Sequence, residues 1–133
     1  MTPLKGLNLI PGIEGKKEIT VTADKTAIAY GSGTVEVFAT PAMIALMEQT
    51  ALESVAHLLP ETYITVGTEV SVKHFHATLP GKVVTCTSRL ILAEGKKLVF
   101  DVMANNETGL VGKGIHTSYI VDKQAFINNL TDK

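Results

Sequence analysis

One cysteine, Cys86, stands in a chain of 133 residues, so an internal disulfide is excluded and no Cys/His spacing suggests a zinc site. Cys86 lies amid alternating, strand-like residues, where a buried and inert thiol is expected. Neither sign of charge dominates: twelve Lys/Arg against thirteen Asp/Glu give a net charge of −1, and there is no dense basic run. This argues against a nucleic-acid partner and against an electrostatic membrane anchor. The longest apolar run, Ala42 to Met47, stops at Glu48, far short of a membrane span. Met1 to Gly15 lacks a charged start followed by a long apolar stretch, so no signal peptide is expected. A cytoplasmic protein without metal or cofactor fits these absences. What is present is apolar content of 45%, enough for a real core in one domain over residues 1–133.

No linker or repeat divides the chain. Lys17 to Thr22 alternates briefly and predicts a short strand, Ala27 to Tyr30 a second, and Gly31-Ser32-Gly33 a loop. At Thr40-Pro41 the pattern changes. Threonine is a good N-cap and proline suits the first helical position, so a helix is predicted from there to near Pro60. Its apolar residues cover nearly every face, which predicts a helix buried all round. Ile64 to Thr78, Val83 to Ala93, Leu98 to Asn106 and Leu110 to Val121 predict four long strands. The connections at Leu79-Pro80-Gly81, Glu94-Gly95-Lys96 and Asn105 to Gly109 are short, which favours antiparallel neighbours. Lys123 to Leu130 is predicted as a final short helix. The fold class is α+β, a long antiparallel sheet around a central helix.

The strand from Ile64 is the informative one. Period two places Ile64, Val66, Thr68, Val70, Val72 and His74 on its inner face, with His76 following. A lone His74 is most simply a hydrogen-bonded core histidine. It is not alone, because Glu48 interrupts the apolar helix, where a buried carboxylate is costly unless paired. The competing explanation for Glu48 is one wet stripe shared with Gln49 and Ala45, and Glu53 suits an exposed edge. Thr40 is adequately explained as a cap. Glu48 lies about 12 Å along the axis from Thr40 and about 80° around it, so direct contact is not expected. An imidazole between them could bridge much of that gap, giving the hydroxyl, base and carboxylate used in acyl transfer. Whether His74 comes from the same or a partner subunit stays open.

Val37-Phe38-Ala39-Thr40, Leu46-Met47-Glu48, Val66-Gly67-Thr68, Val72-Lys73-His74 and Ala77-Thr78-Leu79-Pro80-Gly81 together resemble the fluoroacetyl-CoA thioesterase family, with looser likeness through Gly112 to His116. The resemblance implies a hot-dog fold, a homodimer, and hydrolysis of an acyl-CoA thioester with coenzyme A only as part of the substrate. It places the family's threonine, glutamate and histidine on Thr40, Glu48 and His74. The family's glycine, whose N–H lies near the thioester carbonyl, falls on Gly67; a strand bulge or close backbone approach would equally explain that glycine. Two features depart from the family. The phenylalanines that form a lid there are missing from Gly31 to Glu36, and Ser118 stands where an arginine follows the late histidine. These departures imply a small or medium acyl group of ordinary metabolism. A hot-dog dehydratase or hydratase and a non-catalytic acyl-CoA-binding module remain the alternatives. Lys73, Lys82, Arg89 and Lys113 are candidate contacts for the nucleotide end of coenzyme A, with none singled out.

Overall fold

The computed structural model describes residues 9–131. The first strand, β1 (Glu14–Thr20), alternates in burial residue by residue and begins three residues earlier than Lys17. Ala27–Tyr30, expected as a strand, is a single helical turn, α1. The cause is local. Thr26 accepts a hydrogen bond from the Ala29 amide at 3.3 Å, and Gly31 closes the turn in the left-handed region at φ 71°. Four apolar-rich residues are too few for alternation to outweigh a cap at each end.

The long helix, α2 (Thr40–Ala56), is capped by Ala39, so Thr40 and Pro41 are its first two helical residues. Thr40 is therefore not the N-cap. Ala42, Met43, Leu46, Met47, Ala51 and Val55 are buried, and Thr50 and Ser54 join them by bonding back to the Leu46 and Ala51 carbonyls. Pro41, Glu48, Gln49, Leu52 and Glu53 are exposed. The expectation of a helix enclosed on every side is thus corrected: one stripe of α2 is exposed in the single chain, and Glu48 lies on it. Glu53 on that stripe pairs with Lys17 of β1 at 3.2 Å.

The remaining strands are β2 (Tyr63–His74), β3 (Val83–Glu94), β4 (Lys97–Asn106) and β5 (Gly109–Asp122). All pairings are antiparallel, in the order β1-β3-β4-β5-β2. Only β3, β4 and β5 form the expected meander. β2 pairs with β5 rather than β3, because residues 75–82 cross the end of the sheet instead of turning back. Along that path Phe75 and His76 donate to Val111 O, and Thr78 is held by Asn106 and Phe38. The strand consequently stops at His74, not Thr78. Helix α2 packs against all five strands. The core lies between, with Val84, Cys86, Leu90, Leu98, Phe100, Val102, Ala104, Val111 and Ile120 beneath the helix. Cys86 is fully buried there, and burial pushes its thiol pKa up, as an inert thiol requires. A final helix, α3 (Lys123–Thr131), starts where Asp122 accepts from the Ala125 amide at 3.0 Å.

One irregularity positions the site. The register of β2 against β5 shifts between Gly67 and Glu69, leaving Thr68 as an extra residue. Thr65 and Gly67 oppose the buried Ile120 and Ser118, whereas Val70, Val72 and His74 oppose His116, Gly114 and Gly112. The inner face therefore carries odd residues before the bulge and even residues after it. Ile64 and Val66 face outward, contrary to the unbroken alternation expected. Gly67 faces the helix.

Candidate active site

Thr40 opens α2 and His74 ends β2, and the two meet. The Thr40 hydroxyl lies 2.7 Å from His74 Nδ1. A threonine at this place has no capping bond to make, which frees its hydroxyl for the imidazole. Phe38 meets the ring edge-on, with centroids 6.3 Å apart. His74 Nε2 is buried without a partner among the described residues. Burial pushes the His74 pKa below its ordinary 6.5, partly offset by backbone hydrogen bonding near His76, so the ring is neutral at pH 7 and available as a base. His76 itself is spent on structure, with Nδ1 bonded to Leu110 O at 2.9 Å.

The start of α2 adds polarity to this pair. Its first intrahelical bond runs from the Met43 amide to Ala39 O, and the Ala39 amide is taken by Lys25 O. Pro41 has no N–H, which leaves the amides of Thr40 and Ala42 at the positive end of a 17-residue helix. A hydroxyl, a neutral imidazole and unpaired amides within one turn are the parts needed to attack a carbonyl and hold the resulting oxyanion.

Glu48 is not part of this pair within one chain. It lies two turns further along α2, and its carboxylate faces Gly67 and His116 instead. A Cβ added to Gly67 would meet Glu48 Oε2 at 3.3 Å and His116 Cε1 at 3.0 Å, so the bare glycine is what gives both groups their room. His116 retains only 4% exposure and stacks on Phe100, with ring centroids 6.1 Å apart. Burial lowers its pKa from the ordinary 6.5, while the charge of Glu48 and the backbone at Glu69 push it back up. The sequence alone does not single out His116. Its signal was faint: an inward strand position opposite Val70, at the end of the loosely similar stretch from Gly112.

Thr40, Glu48 and Gly67 are all exposed in the single chain, beside β2, which is an edge strand. A depression lies elsewhere, on the sheet face away from α2. It measures about 740 Å³ and includes Lys16, Arg89, Asp101, Met103 and Lys113 in its lining. Among the nucleotide-contact candidates, Lys82 is paired with Glu107 at 3.3 Å, and Lys73 stands opposite Lys113. Among the described residues, no group of three or more His, Cys, Asp or Glu could hold a metal ion, and no helix is long and apolar enough to cross a membrane.

Residues 21–124 match the family described as fluoroacetyl-CoA-specific thioesterase. The curated fluoroacetyl-CoA thioesterase of Streptantibioticus cattleyicolor is 35% identical over 91 residues, covering 68% of this chain and 66% of that protein. The match thus spans just under two thirds of that relative. A solved structure of the fluoroacetyl-CoA thioesterase superposes with a TM-score of 0.89 at 29% identity, covering 95% of this chain and 98% of that one. A hot-dog-like protein from Thermanaerovibrio acidaminovorans superposes with a TM-score of 0.88 at 23% identity, covering 98% and 96% of the two chains, and shares the fold.

Proposed function

The chain belongs to the fluoroacetyl-CoA-specific thioesterase family and has the hot-dog fold, and from that premise we propose that it hydrolyses an acyl-CoA thioester to the free acid and coenzyme A thiol. The observation that carries the reading is the Thr40 hydroxyl 2.7 Å from His74 Nδ1 at the start of the central helix. Coenzyme A enters only as part of the substrate. The carbonyl sits at the first turn of α2, where the amides of Thr40 and Ala42 receive the oxyanion, with the N–H of the partner's Gly67 as a further donor in the dimer described below.

His74 takes the Thr40 proton as Oγ1 attacks the carbonyl carbon. The tetrahedral oxyanion collapses, the C–S bond breaks, and the thiolate leaves with the proton held by His74. Water then attacks the acyl-threonine ester. The same imidazole accepts the water proton and returns it to Thr40 Oγ1, and the acid departs. Glu48 stabilises the imidazolium formed in each half-reaction.

The carboxylate that serves His74 is the partner's Glu48, in a cytoplasmic homodimer formed along β2. Antiparallel pairing of this edge strand with its copy carries its His74 end toward the Tyr63 to Gly67 half of the other strand. It also covers an open edge and walls in a site that one chain leaves exposed. Fluoroacetyl selectivity is not part of the reading. Gly31 to Glu36 are exposed and carry no aromatic ring, so the acyl group is small or medium and is not sorted by an aromatic lid.

Thiol release measured over acyl-CoAs of varied chain length tests the activity. Wild type is expected to release thiol from short or medium chains, and Thr40→Ala to lose ~10²–10⁴-fold in rate. An enoyl absorbance change without free thiol would make the protein a dehydratase, and binding without turnover would make it a carrier or sensor. Full activity in Thr40→Ala would move the attack to water.

A further inference from the structure

Two histidines, the half-buried His74 and the buried His116, face α2 from neighbouring strands, and the chemistry above uses only the first. His116 lies four residues beyond Gly112, the cross-strand partner of His74, so the two rings sit at separate places along the helix. The Glu69 backbone acts on the second ring, but among the described residues the ring makes no backbone bond as short as that of His76. Its Nδ1 is buried and has no hydrogen-bond partner among the described residues. Its other edge, Cε1 and Nε2, lies 3.0 and 3.8 Å from the point where a Gly67 side chain would begin, and Glu48 Oε2 lies 3.3 Å from that same point. The elements packed around the ring bring Glu48 from α2, Gly67 and Val70 from β2, and Phe100 from β4. Glu48 is the charged side chain that faces it; Glu69 acts on it through its backbone.

A hydrophobic residue of similar size would fill the space against Phe100 equally well. Keeping an imidazole buried with one nitrogen unpaired is costly unless it does something a phenyl ring cannot. We propose that His116 is a positioning residue: by close approach and charge its imidazole edge keeps the Glu48 carboxylate over Gly67 and aimed toward the Thr40–His74 pair of the other subunit. The bulge at Thr68 is what makes this meeting geometrically available, because it turns Gly67 inward beside the ring. The assignment rests on the hydrolytic reading of Glu48, and the test separates the two.

Steady-state thiol release is compared for wild type, His116→Phe, His116→Gln, Glu48→Gln and the double variant His116→Phe/Glu48→Gln. His116→Phe keeps the stacking volume and is expected to lower kcat roughly tenfold to a hundredfold, short of deleting an acid–base group outright, with KM within about twofold. His116→Gln should recover most of the rate. In the Glu48→Gln background, His116→Phe should add little, because the group it acts through is gone. Equal losses in both backgrounds, or no loss in wild type, would overturn the proposal. Full activity in Glu48→Gln would instead overturn the role of Glu48. Should His116→Phe fail to fold, imidazole NMR of the otherwise intact protein decides. Glu48→Gln is expected to move the His116 titration to lower pH, and an unmoved titration would refute the contact.

Discussion

At the scale of single residues, the site depends on groups held where water is scarce. His74 and His116 both have folded pKa values pushed below the ordinary 6.5 by burial. The unfolded chain therefore takes up protons before the folded one does as pH falls through 6.5. The stability these rings contribute as neutral groups is complete above that value and is lost progressively below it. Urea midpoints should accordingly fall between pH 7.5 and 5.5, and fall less when His116 is replaced by Asn. Identical midpoints at the two pH values would contradict this. Gly67→Ala makes a second test. Its new methyl would press on Glu48 Oε2 and His116 Cε1. Glu48 ends a flexible side chain that can yield but the buried His116 ring has less room, so stability should fall by ~1 kcal/mol, while displacing the carboxylate should lower kcat roughly tenfold to a hundredfold. An unaltered kcat would mean that its position does not matter.

At the scale of elements, the β2–β5 pair carries the site and has little tolerance. A Cβ at Gly114 would run into the backbone of Ser71 and Val72, which cannot move without shifting β2. Gly114→Ala should cost ~1–3 kcal/mol in chemical denaturation, the usual range for overpacking, and weaken hydrogen-exchange protection along β2. Wild-type stability would contradict it. These elements also mark how far sequence carries. The start of α2 was legible from Thr40-Pro41, and the β3–β5 meander from short connections, because both signals are local. The place of β2 beside β5 was not, since residues 75–82 are held by contacts remote in sequence. The Thr68 bulge was invisible for the same reason: it exists only relative to β5, and it reversed which of Ile64, Val66 and Gly67 face the helix. Alternation over Ala27–Tyr30 was too short to outweigh the Thr26 cap. Glu48 and His74 stand out as polar interruptions of apolar patterns, whereas Thr40 reads as a helix cap and Gly67 is reached only through the family resemblance. His116 does not stand out, because nothing in its own strand reveals that Glu48 lies above it.

At the scale of the whole molecule, one chain presents the parts of a site without closing it. The Thr40–His74 pair and the Glu48 carboxylate are separated along α2 and both open to the side of the edge strand. If two copies join along β2, each site takes His74 from one and Glu48 from the other. Mixing His74→Ala with Glu48→Gln then forms heterodimers in which one of the two sites has both groups intact. Thiol release from this mixture, set beside each variant alone, is the most direct test of the account. The account predicts near-silence from either variant and recovery to about a quarter of the wild-type rate on mixing, as half the dimers each regain one site of two. His74→Ala turning over acyl-CoA at the wild-type rate would contradict the hydrolytic role of the imidazole, and two silent variants that stay silent when mixed would contradict a site shared between subunits.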